Sequence, residues 1–247
     1  MPRFFNKFRV EAIRNSKLFN YLLYAIGEIL LVTLGILIAV SFNNRNENRK
    51  QAEELQAIYT AVENDLTIDS VFLYKVIESQ KLVDSMTQVI LSQEAPLVSI
   101  DTITEKNVKE CLPCLPYHVH YSPFTPNLKG YEALKGFENN LSDSQDSLTL
   151  KILELYSRNV GLIEVMGDRV GDHLMESLQE LEQKPWYISF LNREFNKEAT
   201  AYFISDLRYR NRLATFSLLN SQNYMTFIEN YHNQSREIVK EIKERRG

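Results

Sequence analysis

Between Leu18 and Phe42 the chain reads LFNYLLYAIGEILLVTLGILIAVSF, apolar at almost every position and charged only at Glu28. At a helical rise of about 1.5 Å per residue, these 25 residues cross a hydrocarbon core about 30 Å thick with some tilt. The pattern then changes. From about Glu47 to Ser92, a stretch free of Gly and Pro carries Leu55, Ile58, Tyr59, Val62, Leu66, Val71, Leu73, Val76, Ile77, Leu82 and Val83. Spacings of three and four dominate, which predicts a long amphipathic helix continuing from the apolar one. Ala95-Pro96 breaks the period, and prolines at 113, 116, 123 and 126 predict an irregular insert over about 95–127, with one short helix from about Thr104 to Glu110.

Thr125-Pro126 reads as an N-cap followed by an N1 proline, opening a short helix through Tyr131, Leu134 and Phe137 that Gly136 helps to end. Ser142-Asp143-Ser144-Gln145 supplies caps for a second long helix to about Gln183, and Lys184-Pro185-Trp186 ends it. A last helix is predicted from about Asn196 to Arg245, closing on Lys and Arg, cations that suit the negative helix terminus. The fold class is therefore all-α: a single N-terminal transmembrane helix followed by an antiparallel helical bundle with a short irregular insert. Aromatic residues recur at helical spacing, as core packing requires.

Composition sharpens this picture. Only 8 Gly and 7 Pro in 247 residues disfavour a β-sandwich or a disordered polypeptide. Charge is unevenly placed: six Lys/Arg against two Glu make the first 45 residues net +4, and the remaining 202 are net -8. An acidic body argues against nucleic-acid binding, which needs a basic face to neutralise phosphates. Arg3, Lys7, Arg9, Arg14 and Lys17 precede the apolar run against Glu11 alone. The positive-inside bias then makes residues 1–17 a cytoplasmic tail, 18–42 the span, and 43–247 a periplasmic helical-bundle domain. Phe4, Phe8 and Ala12 allow a short interfacial helix in the tail. Ala39-Val40-Ser41 also fits a signal-peptidase site, but the apolar run is longer than the usual h-region of about 7–15 residues and holds a Glu.

Three strings carry a resemblance: Tyr21-Leu-Leu-Tyr24-Ala-Ile-Gly27-Glu28-Ile, Leu34-Gly35-Ile-Leu-Ile-Ala39, and Asn43-Asn-Arg45-Asn-Glu47-Asn-Arg49-Lys50. Together they resemble a family of uncharacterised single-pass membrane proteins of Bacteroidota. Thr125 to Tyr131, Leu134-Lys135 and Leu150 to Tyr156 look like the same family's short helix and the helix after it. Where the family pattern has Asn-Asn-Trp-Asn-Glu this chain has Arg45, so an interfacial anchor is missing. The insert with two Cys and two His is not a feature of the resemblance. The resemblance implies a Gram-negative inner-membrane protein with a periplasmic helical domain, and it implies no activity.

Two constellations carry candidate chemistry. Glu28 falls near mid-bilayer, where an ionised carboxylate costs at least about 2.5 to 3.5 kcal/mol, so it must be protonated, partnered or wet. At 100° per residue, Tyr21, Tyr24, Val32, Gly35 and Ala39 lie within about 40° of it on the helix wheel. This stripe of polar and small residues suits close packing against another helix, either a second copy of the chain or another membrane protein. A proton-responsive carboxylate and a protonated Glu bonded to Tyr24 or a neighbouring chain both fit it.

The second constellation is Cys111-Leu-Pro-Cys114 followed by His118-Val-His120. A structural disulfide between Cys111 and Cys114 suits an oxidising periplasm. Tetrahedral zinc held by Cys111, Cys114, His118 and His120 is the competing reading, and redox exchange a third, though no βαβ pattern accompanies the C-x-x-C. His173 and His232 lie inside long helices and receive no role. Asp168, Asp172, Glu176, Glu180 and Glu182 form an acidic, solvated helix side with divalent-cation binding as its alternative. The sequence has no G-x-S-x-G, Walker A or H-E-x-x-H motif. The expectation is a protein that is no enzyme and needs no cofactor, a membrane-anchored interaction or scaffold protein. A periplasmic ligand sensor signalling through a partner, or a proton-coupled accessory subunit using Glu28, are its alternatives.

Overall fold

The computed structural model describes residues 18–92, 99–138 and 146–246. Among these the secondary structure is helical, with no strand. Helix α1 runs unbroken from Leu18 to Ser92, 75 residues, joining the apolar run to the amphipathic stretch. The chain divides into two compact units, and the boundary between Ala57 and Ile58 falls within this helix.

Up to Phe42, α1 is apolar on nearly every side, Glu28 being the one charged residue of that stretch. Its most hydrophobic window has a mean hydropathy of 2.4 and none of it is buried. Thirteen large apolar side chains between Leu22 and Phe42 are exposed. Each would gain about 1.5–3 kcal/mol from leaving water, so the segment is unsuited to an aqueous surface. By length and composition it can cross a membrane.

The second unit begins where α1 becomes two-sided. Nine of its buried positions, Val62, Leu66, Asp69, Leu73, Val76, Gln80, Val83, Thr87 and Ile90, alternate steps of four and three, with Ile58, Tyr59 and Asp65 buried beside them. That is a heptad seam, and three of its nine places are polar. Val71 and Leu82, which the apolar pattern assigns to the core, are exposed instead.

Helix α2 spans Lys129–Glu138. Helix α3 (Ser147–Glu154) passes through a π-helical turn, Leu155–Val160, directly into α4 (Gly161–Glu182). The wider turn brings Leu155, Tyr156, Asn159 and Val160 together on the inward side. Asp146 caps α3, its carboxylate accepting the Leu148 N–H at 3.4 Å. The cap is thus Asp146; the expected capping residues Ser142 to Gln145 lie outside the described residues.

Lys184-Pro185-Trp186 ends α4 as expected, with Gln183 at the C-cap and short α5 (Tyr187–Leu191) beyond. The single C-terminal helix predicted from Asn196 is in fact interrupted. Asn196 does cap α6 (Lys197–Ser205), accepting from the N–H groups of Glu198 and Ala199 at 2.9 and 3.0 Å. Asp206 then turns extended, at ψ 128°, and caps α7 (Leu207–Phe216) through the Arg208 N–H at 2.7 Å. A mid-pattern Asp can stop a helix because its carboxylate offers the next turn a better acceptor than the ladder does. A second π-helical segment, Ser217–Tyr224, leads into α8 (Met225–Arg246).

The insert is irregular, as its prolines require. Four 3-10 turns, Ile100–Thr102, Val108–Glu110, Leu112–Cys114 and Tyr117–Val119, replace the helix expected over Thr104 to Glu110. It packs as a small satellite core in which Ile103, Cys111 and Cys114 meet Ile204 of α6. Tyrosine hydroxyls fasten it to the helices: Tyr209 donates to the Leu115 carbonyl at 3.1 Å, and Tyr224 to that of Ser122 at 3.2 Å.

Candidate functional site

The helical conformation of residues 18–42 keeps Tyr21, Tyr24, Glu28, Gly35 and Ala39 on one stripe of α1. Tyr21, Tyr24 and Glu28 are half-buried, while Gly35 and Ala39 are exposed. A Cβ built on Gly35 would meet nothing within 4 Å, so this face has room for a close-approaching helix.

The most tightly built polar cluster lies in the second unit, where α2 meets α1. Asp65 and Asp69 are buried one turn apart on α1. Asp65 accepts the Gly130 N–H at 2.6 Å. Asp69 accepts the Asn127 backbone N–H at 3.2 Å and its side-chain amide at 2.5 Å. Tyr231 of α8 donates to the same carboxylate at 2.8 Å. The Thr125-Pro126 cap expected from the sequence is thus replaced. Two carboxylates from a helix some sixty residues earlier satisfy the orphan N–H groups and complement the positive end of α2. Burial pushes the Asp69 carboxyl above its ordinary range, against the donors from Tyr231 and Asn127 that pull it down.

This contact explains Gly130. A Cβ there would lie 2.5 Å from the Val62 nitrogen and 2.6 Å from its Cα, so only glycine lets the two backbones approach this closely. The hydrogen bonds to Asp69 all come from donors that order the fold, and the cluster is structural. Sequence spacing held one clue to it: Asp65 and Asp69 interrupt an otherwise apolar face.

A second cluster joins α4 to α7. Glu180 forms a charge-assisted bond with the Arg212 guanidinium, accepts from the Tyr202 hydroxyl at 3.2 Å and lies 3.7 Å from Lys184. Burial raises the Glu180 carboxyl, but Arg212, Tyr202 and Lys184 together hold it below its usual range. His173 faces the Arg212 carbonyl at 3.1 Å. Glu180 is therefore turned inward and leaves the acidic helix side, where Asp168, Asp172, Glu176 and Glu182 stay exposed. Asp168 and Asp172 line a cavity of about 500 Å³ together with Tyr121, Phe124 and Thr125.

The four insert residues separate. Cys111 and Cys114 are joined as a disulfide, so neither offers a thiolate. His118 is fully buried, its ring edge on to Tyr209 with centroids 5.1 Å apart, while His120 is exposed. The tetrahedral zinc reading is corrected on this ground: the sulfurs bond to one another and the two imidazoles occupy different environments. Among the described residues no group of three or more His, Cys, Asp or Glu side chains is placed to hold a metal ion.

Fold and site together define an all-α protein with one long apolar N-terminal helix and a helical domain in which two carboxylate clusters tie helices together. The chain belongs to a family of unknown function, DUF6090, whose model matches residues 28–182. The match starts at Glu28 and ends with α4, so α5 to α8 lie beyond it. No curated protein and no solved structure matches the chain.

Proposed function

We propose that this protein is a non-catalytic, single-pass inner-membrane protein whose helical domain lies in the periplasm and is presented there to a partner. The observation that carries the reading is α1: an apolar segment with none of its most hydrophobic window buried, in the same helix that supplies the seam of the helical domain. Its basic N-terminal flank orients the segment with the amino terminus inside. A Cys111–Cys114 disulfide accords with an oxidising compartment. The two polar clusters hold helices together through saturated carboxylates, which suits a rigid presenting domain better than a reaction centre.

The Glu28 stripe then serves as the membrane contact, to a second copy or to another membrane protein. The test is mild-detergent affinity purification of the tagged full-length chain from native membranes, with protease accessibility measured on spheroplasts. The expected result is retention in alkaline-washed membranes, cleavage of the domain from the periplasmic side, and a stoichiometric membrane partner or defined oligomer. A chain released by alkaline wash, or one protected from periplasmic protease, overturns the reading.

A further inference from the structure

Between the second half of α1 and the last turns of α8 runs a groove with a volume of about 690 Å³, within the range of small-molecule sites. Its α1 wall presents Thr67, Ser70, Val71, Tyr74 and Lys75, spaced i, i+3, i+4, i+7 and i+8 on one helix face. Its α8 wall presents His232, Arg236, Val239, Lys240 and Lys243, again one face. Such regular spacing makes the groove a property of two rigid helices, not of a loop.

Two kinds of surface meet there. Val71 and Tyr74 are exposed at 58% and 60%, and Val239 adds a third apolar contact. Isolated exposed apolar groups need no explanation, but here they floor a concavity. Around them stand Lys75, Arg236, Lys240 and Lys243 against the single carboxylate of Glu244, a formal excess of three positive charges. The chain after residue 45 is net -8, so this patch runs against the charge of its own domain. Lys240 lies 3.7 Å from Glu244 with both side chains exposed, a pair readily exchanged for a ligand, while Lys243 lies 3.7 Å from the mostly buried Glu63 carboxylate. Lys75 and Arg236 have no ion pair among the described residues.

Two polar groups on the walls are also unmatched. Ser70 Oγ on α1 and His232 Nδ1 on α8 are buried and lack a hydrogen-bond partner among the described residues. His232 is 92% buried by its relative exposure of 8%, and burial followed by the Arg236 charge keeps its imidazole below the ordinary range. A neutral imidazole and a hydroxyl on the groove walls can donate to an oxyanion without adding charge.

We propose that this groove binds a single-chain anionic amphiphile, a fatty carboxylate or lysophosphate, with its oxyanion among Lys75, Arg236 and Lys240 and its chain over Val71, Tyr74 and Val239. Purely ionic ligands would leave the apolar floor unused, and neutral ones the cations. The site goes beyond the anchoring role and does not depend on it, since it belongs to the helical domain by itself.

The test uses the full-length chain in nanodiscs of phosphatidylcholine, with photoactivatable diazirine palmitate as probe and the matching diazirine hexadecanol as its neutral control. Cross-linked peptides are mapped by mass spectrometry. Palmitate is expected to label residues 67–75 and 232–244 at least fivefold more than the alcohol does, while both label 18–42 alike. Unlabelled lysophosphatidate should remove the groove label, and millimolar inorganic phosphate should leave it. Arg236→Glu with Lys240→Glu should cut groove labelling at least fivefold with the span label and the circular dichroism spectrum unchanged. Lys75→Gln is the milder variant should the double one misfold, with a decrease of about twofold expected. Labelling confined to the span, equal groove labelling by both probes, or indifference to these variants overturns the proposal. Full competition by inorganic phosphate also overturns it, by reducing the site to a simple oxyanion patch. Loss of the membrane anchor reading would show instead in the span label, which both probes report independently.

Discussion

His118 has no exposed surface and neither ring nitrogen has a hydrogen-bond partner among the described residues. It is walled by Tyr209 and Phe203, with ring centroids 5.1 and 6.1 Å away. Burial, reinforced by the charges of His173 and Arg212, lowers its pKa from 6.5 to about 3. The folded chain therefore keeps His118 neutral where the unfolded chain protonates it. Stability is fully present above about pH 6.5 and is lost as pH falls from there toward 3. Each pH unit in that window weakens the folding equilibrium constant by about tenfold for this one group. His118→Leu removes the titration and an unsatisfied polar group together. Guanidinium unfolding of the full chain in detergent should therefore show the variant gaining on the wild type by about 3 kcal/mol between pH 7.5 and pH 4. A constant difference across that range would mean that the wild-type imidazole titrates normally. His173 and His232 are lowered in the same direction by burial, so the wild type and the variant both lose stability in acid, and only their difference reports His118.

The meeting of α2 with α1 sets the register of the two elements. Glycine at 130 permits it, and Asp65 and Asp69 supply the acceptors that α2 lacks. Gly130→Ala forces a Cβ into the Val62 backbone, which cannot rotate away, so α2 must lift and the Asp65 bond must lengthen. Overpacking of this kind costs about 2 kcal/mol, which for a domain of this size lowers Tm by about 4–8 °C. Gly171→Ala in α4 is the contrasting substitution, because its Cβ would meet nothing within 4 Å. There the better helix propensity of alanine should raise stability by about 0.5–1 kcal/mol. Thermal unfolding followed by circular dichroism checks both, and equal effects of the two substitutions would show that the close approach of α2 is not maintained. Two helices were legible in the apolar period only as far as the period is local. Val71 and Leu82 fit it and face outward, whereas Asp69 and Gln80 occupy seam positions because partners exist for them, Tyr231 and Asn127 for Asp69 and Asp84 for Gln80 at 2.8 Å. Hydropathy counts a residue's own cost and contains no information about the donor opposite.

For the whole molecule the proposed membrane contact gives the sharpest expectation. Glutamine keeps both the polarity and the hydrogen-bonding capacity of a protonated glutamate, so Glu28→Gln should leave the native oligomer or complex intact on blue-native gels. Glu28→Leu, which removes the polar group, should weaken it, with more dissociated chain at equal detergent. A complex destroyed by Gln as fully as by Leu would show that the ionised carboxylate itself is needed, and would favour proton coupling over packing.

Several features followed from the amino-acid order directly. The all-α class, the apolar run, the irregular proline-rich insert, the stop at Lys184-Pro185 and the Asn196 cap all depend on residues within a turn or two of one another. Backbone sterics, capping and hydrophobic period act over that range, so the chain carries them in plain view. The capping of α2 by Asp65 and Asp69, the inward turn of Glu180, the burial of His118 and the basic groove between α1 and α8 were decided only by the tertiary structure. Arg236, Lys240 and Lys243 do stand at one helix spacing in the sequence, but Val71 and Tyr74 lie more than 150 residues earlier. Whether a charge is paired, a carboxylate desolvated or an apolar side chain left bare depends on which distant segment packs against it.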